Sequence, residues 1–144
     1  MRRGYTLIET VVVLLVLALA AAVVTPAIGR GLDSVRLRAE VAGVASFLRA
    51  ARERAISQHV SLEVGIDPEG RTLVVKGADG VRAVRHLSPL VHLEADPPEA
   101  RTVTFFAYGL SSGGRFWLEA PGAVAYVVTV DPLTGRVSTR RGES

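Results

Sequence analysis

The chain has 144 residues, enough for one domain with a modest core, and no cysteine, which excludes disulfides, thiolate chemistry and cysteine-ligated zinc. Apolar residues make up 49 % of it and crowd toward the N-terminus. The formal net charge is +3, of which Arg2 and Arg3 supply two, so the remainder is only mildly basic and gives little ground for an acidic partner.

The first element is apolar. From Thr10 to Gly29 there are 20 consecutive residues without a charge. As a helix rising about 1.5 Å per residue this run spans about 30 Å, the thickness of one hydrocarbon core. Three readings compete: a secretory signal peptide cut near the small residues Ala18 to Ala22, a plain membrane anchor, and a leader cut before the apolar run. Glu9 separates them. A carboxylate at the centre of a membrane helix costs roughly 2.5–3.5 kcal/mol, and less near an end. A signal peptide or a plain anchor has no use for that cost, whereas a helix packing beside copies of itself does. A cut at Gly4–Tyr5 creates an α-amino group four residues before Glu9, one helical turn away, where amine and carboxylate can pair within or between subunits. Arg2 and Arg3 favour the cytoplasmic side, which places everything beyond Arg30 outside the cytoplasmic membrane in a single pass.

Gly4-Tyr5-Thr6-Leu7-Ile8-Glu9 resembles the leader motif of type IV pilins and of the pseudopilins of type II secretion. The resemblance implies a prepilin peptidase that cuts after Gly4, methylation of the new N-terminus at Tyr5, an assembly salt bridge from Glu9, and a helix loosened or kinked at Pro26. Family members usually carry Phe after the glycine, where this chain has Tyr5.

From Leu32 to about Ser57 the pattern is helical. Leu37, Val41, Val44, Leu48, Ala51 and Ala55 form one apolar stripe, widened by Phe47 and Ile56. The arginines and glutamates from Arg36 to Arg54 lie largely off the stripe and read as a solvated face. Gly29 and Gly31 mark a soft joint between the two halves. Phe47 to Ile56 resembles a signature of GspH-type minor pseudopilins and FimT-type minor pilins, Leu-x-x-Ala-Arg-x-x-Ala-Ile.

Beyond Gln58 the period changes to two, with Val60, Leu62, Val64 and Ile66 alternating with polar or small residues. Asp67-Pro68-Glu69-Gly70 reads as a turn, Thr72–Lys76 as a strand, Ala78-Asp79-Gly80 as a turn into Val81–Leu87, and Val91 with Leu93 as a short strand before Asp96-Pro97-Pro98. Thr102–Ala107, Arg115–Glu119, Val124–Val130 and Arg136–Thr139 complete seven or eight strands. The expected fold is α+β and pilin-like: a long N-terminal helix, transmembrane then amphipathic, packed on an antiparallel sheet domain. The expected organisation is a leader at residues 1–4, an assembly helix at 5–29, its amphipathic continuation at 30–58, and a β domain with a basic tail at 59–144.

No catalytic, cofactor or metal constellation is legible. His59, His86 and His92 lack mutual ligand spacing, Ser111-Ser112-Gly113-Gly114 reads as a hairpin loop or mobile connector, and no serine stands in a hydrolase motif. Trp117 shares a strand face with Arg115 and Glu119 and reads as half-buried packing. Nothing points to a small-molecule substrate. The tail carries Arg136, Arg140 and Arg141 against Glu143. Some FimT-type pilins resemble this and hold DNA through a Gly-Arg-x-Arg tail; here Ser138 replaces the second arginine, which counts against DNA and favours a solvated, frayed terminus. The resemblance as a whole implies a structural subunit with no enzymatic role, whose partners are other pilins or pseudopilins, the prepilin peptidase and the membrane. The alternative is a FimT-like subunit of a type IV pilus that takes up DNA through the arginine tail.

Overall fold

The computed structural model describes residues 6–142, without the side chains of residues 23–30. Gly4, Tyr5, Glu143 and the Pro26 side chain therefore lie outside the described residues. The chain divides into two compact units, Met1–Leu32 and Asp33–Ser144. One helix, α1 (Leu7–Gln58), contributes to both.

In the first unit the large side chains from Leu7 to Leu19 are all exposed. Apolar residues stand on every side of this part of α1, so it has no polar face to turn to water. Among the described residues no helix is long and apolar enough to cross a membrane. The charge-free run of the sequence continues through residues whose side chains are not described.

In the second unit the helical stripe does what its spacing dictates. Leu37, Val44, Leu48 and Ala55 are fully buried, Val41 and Ala51 nearly so. They share one core with the inward residues of seven of the eight strands found among the described residues, and Ala83 of the remaining one packs against it. The strands are β1 (Leu62–Ile66), β2 (Thr72–Gly77), β3 (Gly80–His86), β4 (His92–Ala95), β5 (Thr102–Phe105), β6 (Gly114–Glu119), β7 (Tyr126–Val130) and β8 (Val137–Arg141). Alternation is clean where one face is wet: β1 buries Leu62, Val64 and Ile66, and β6 buries Phe116 and Leu118.

The single expected sheet is in fact two, each four-stranded and antiparallel, in the orders β3-β2-β1-β5 and β4-β6-β7-β8. Alternation reports which face of a strand is wet but not which strand lies beside it, so the division was invisible in the pattern. The sheets are stitched at two places. Gly70, in the β1–β2 turn with φ 66°, accepts from Leu93 N–H of β4 at 3.1 Å. A Cβ there would fall 2.2 Å from the Leu93 carbonyl oxygen, so no side chain fits. At the other place Ser112 N–H donates to Thr104 O at 2.9 Å and the Thr104 N–H returns to Ser112 Oγ at 3.0 Å.

β1 begins two residues later than the alternation suggests, because Val60 belongs to the helix stop. His59 sits at φ 54°, its N–H donates to Ile56 O at 3.3 Å, and Val60 N–H donates to Ala55 O at 3.1 Å. This is the paired pattern of a Schellman closure, with histidine where glycine is usual.

Candidate functional site

The first candidate is the start of α1. Thr6 precedes the helix, and Glu9 N–H donates to Thr6 Oγ1 at 3.3 Å and to Thr6 O at 3.0 Å. Thr6 is thus the N-cap and Glu9 the third helical residue, the spacing of a capping box. The sequence reading passed over Thr6, although Thr-x-x-Glu is a signal for it. Glu9 is the acidic residue of the first turn, where a negative charge is favoured by the helix dipole. Its carboxylate stands exposed at the head of the apolar surface.

The second candidate is the junction of the Phe47 to Ile56 helical signature with the Gly135-Arg136 start of the tail, which lie far apart in sequence. Arg52, the arginine of the helical signature, donates through Nε and Nη2 to Thr134 O at 3.2 and 3.0 Å. Arg49 donates to Val137 O at 3.3 Å, and Arg38 Nε to Tyr126 Oη at 3.2 Å. These arginines are not merely a solvated face. Arg52 and Arg49 hold carbonyls of the β7–β8 turn and of β8, groups without another partner in the ladder, and Arg38 reaches the Tyr126 hydroxyl on β7. Between Arg52 and Arg136 lies Gly135, buried, at φ 63°. A Cβ there would meet Gly109 O at 2.5 Å and Arg52 Nε at 2.8 Å. The turn itself is shaped by Asp131, whose Oδ1 accepts from Leu133 N–H, Thr134 N–H and the Thr134 hydroxyl at 2.9, 2.8 and 3.0 Å. The Thr134 N–H and hydroxyl hold the Asp131 carboxyl below the ordinary carboxylate value.

On the other sheet Glu40 plays the matching part. It accepts from Arg85 Nη2 of β3 and from Ser88 N–H, both at 3.1 Å. The second half of α1 is therefore fastened to both sheets by side chains that flank its apolar stripe.

Up to Gly142 the tail is not frayed. It is β8, paired along its length with β7, and Gly142 N–H continues the pairing to Ala125 O at 2.8 Å. Strand geometry separates its arginines. Arg140 opposes Val127 and Arg141 opposes Tyr126, so successive side chains point to opposite faces. Arg141 shares a small cleft with Arg38 and Val124, while Arg136 lies before the strand, in the groove beside Arg49 and Arg52. Arg115 is engaged by Asp96 at 3.2 Å.

Of the remaining sequence candidates, Trp117 is half-buried beside Gly142, His92 is exposed on β4 opposite Glu119, and His86 Nδ1 lies 3.4 Å from Thr72 Oγ1. His59 serves the helix stop. Ser111 belongs to no mobile connector: it is buried, and its hydroxyl donates to Asp131 O at 2.9 Å.

Residues 1–25 match the prokaryotic N-terminal methylation motif. Type II secretion system protein H of Xanthomonas campestris pv. campestris is 30 % identical over 138 residues, covering 94 % of this chain and 81 % of that protein. The chain belongs to the protein H family, the GspH/FimT-like minor pseudopilins. Its fold is similar to those of solved pilin-like proteins. The type IV minor pilin FimU of Pseudomonas aeruginosa superposes with a TM-score of 0.63 at 17 % identity, over 75 % of this chain and 93 % of that one. The minor pseudopilin EpsH of the Vibrio cholerae type 2 secretion system superposes with a TM-score of 0.61 at 17 % identity, over 75 % and 99 %. For a GspH-like subunit, the meeting of Arg52 with the Thr134-Gly135 turn gives the helical signature a structural purpose.

Proposed function

We propose that the chain is a structural minor pseudopilin, not an enzyme, that assembles with other pseudopilins into a short periplasmic filament of a type II secretion system. In this reading the apolar part of α1 anchors it in the inner membrane in a single pass, with the N-terminus cytoplasmic and the β domain outside. Prepilin peptidase cuts at Gly4–Tyr5, Tyr5 is N-methylated, and Pro26 loosens the helix for assembly. Glu9 then pairs with a terminal amine in the filament core. The observation that carries the reading is the head of α1: a capped helix, exposed apolar residues on every side, and one carboxylate in the first turn. Such a helix is costly alone and is suited to burial first in lipid and then among its own kind. The family relationship supports the same role.

No observation favours the DNA-receptor alternative. Strand alternation divides Arg140 from Arg141, Ser138 interrupts the tail motif, and Arg115 is already paired. The deciding experiment is mass spectrometry of the mature N-terminus from membranes. The expected product begins at a methylated Tyr5. A product beginning at Ala21 or Val23 would mark a conventional signal peptide and end the proposal.

A further inference from the structure

Two loops of the second unit meet beside the C-terminal part of α1. Ser111 N–H donates to Pro132 O at 3.0 Å, its hydroxyl reaches Asp131 O, and the backbones of Gly109 and Gly135 are in close approach. So fixed, the pair holds three apolar side chains outward: Leu133 is 77 % exposed, Tyr108 75 % and Leu110 39 %. Tyr108 is further steadied by stacking on Phe106, with centroids 5.9 Å apart and rings 7° from parallel. Leu133 adjoins Thr134, which lines a groove of about 540 Å³ with Arg49, Arg52 and Arg136 against the single carboxylate of Glu53. Arg49 and Arg52 are oriented by their bonds to the β7–β8 turn and β8.

Arg49 and Arg52 fasten the fold, but the exposed Arg136 and the apolar loop tips take no part in that fastening. Leu133 and Tyr108 leave most of their apolar surface uncovered in the monomer, and an aromatic and aliphatic cluster beside oriented guanidinium groups has the composition of an interface centre. We propose that this loop pair is a docking surface for a different pilin-like subunit, one that presents an apolar side chain flanked by carboxylates. The inference rests on the filament reading above and adds to it the surface and the chemistry of the partner. Carboxylates suit the guanidinium forks of the groove, and the apolar tips offer a phosphate backbone nothing. A second copy of this chain suits the surface less: of its exposed apolar side chains in the β domain, Leu90 shares its cleft with Arg71 as well as Glu119, Val124 shares one with Arg141, and Val81 and Val84 precede Arg82 and Arg85 in β3.

The test uses the full chain assembled with its partner subunits. A photo-crosslinking amino acid replaces Leu133 in one variant, Val84 on β3 in a second and Leu14 in the apolar helix in a third. The expected result is a Leu133 adduct to another pilin-like subunit, mapped by mass spectrometry to a peptide containing Asp or Glu. Its yield should fall by about fivefold in Arg136→Glu, the scale of reversing one or two exposed ion pairs. Arg136 is exposed, so an unchanged melting temperature will show that the variant is folded. Leu14 adducts without Leu133 adducts would overturn the inference and leave the filament reading standing. So would a Leu133 adduct to DNA, to a second copy, or to a segment indifferent to Arg136→Glu. Loss of Leu14 adducts as well would remove the filament reading and this inference with it.

Discussion

His59 holds φ 54° at the end of α1, a conformation that costs a residue with a Cβ about 1–2 kcal/mol. Glycine removes that strain but adds freedom to the unfolded chain, so His59→Gly should raise stability by about 0.5–1 kcal/mol in denaturant unfolding; a loss would show that the imidazole is needed there. Asp131 acts through its carboxylate. Thr134 and Leu133 hold its pKa below the ordinary 3.8, so its stabilising contribution is full above that value and is lost as pH falls through the lower native value. Asp67 follows the same rule: burial raises its pKa, but the N–H groups of Thr72 and Arg71 outweigh burial. The amide resonances of Leu133 and Thr134 should therefore titrate with a midpoint below 3.8, and Asp131→Asn should abolish that titration. Glu9→Val should leave membrane insertion intact or eased while crosslinking to other pilin subunits falls, because the neighbouring amine loses its partner. Equal crosslinking in mutant and wild type would remove Glu9 from assembly, leaving it the role of a first-turn acid.

At the scale of elements, the helical stripe and the strand alternation were legible, since 3.6-residue and two-residue periods are imposed by burial on one side. Leu48 is fully buried, and Leu48→Ala should cost about 2–5 kcal/mol in denaturant unfolding, depending on how far the site collapses. The fastenings of the stripe were not legible. Arg49, Arg52 and Glu40 look like any polar helix face until their partners at Val137, Thr134, Arg85 and Ser88 are placed opposite them. Gly135→Ala tests this junction. It adds left-handed strain of about 1–2 kcal/mol and pushes against a backbone carbonyl, so both the melting temperature and the order of the Asp131 turn should fall. A neutral outcome would mean that the Gly109 loop yields freely.

At the scale of the molecule, the described arginines of the tail are parted: Arg136 lies in the groove with Arg49 and Arg52, and Arg141 lies in a cleft with Arg38. Full-length protein in detergent, titrated with labelled duplex DNA, should bind weakly and almost alike whether or not Arg136, Arg140 and Arg141 are changed to Gln. Three coordinated phosphate contacts would instead give a slope of log affinity on log salt near about −2.7, lost in the triple variant. The sequence by itself determined the apolar helix with its early carboxylate, the amphipathic continuation, the strand positions and the family resemblance. Each of these is a local or periodic property that burial writes into neighbouring residues. Only the tertiary structure decided that the strands form two sheets, that the basic tail is an edge strand with its arginines parted, and that Arg52 grips the turn before Gly135. Those outcomes depend on which distant segments lie side by side, and a pairing of residues 82 positions apart leaves no trace in the period of either one.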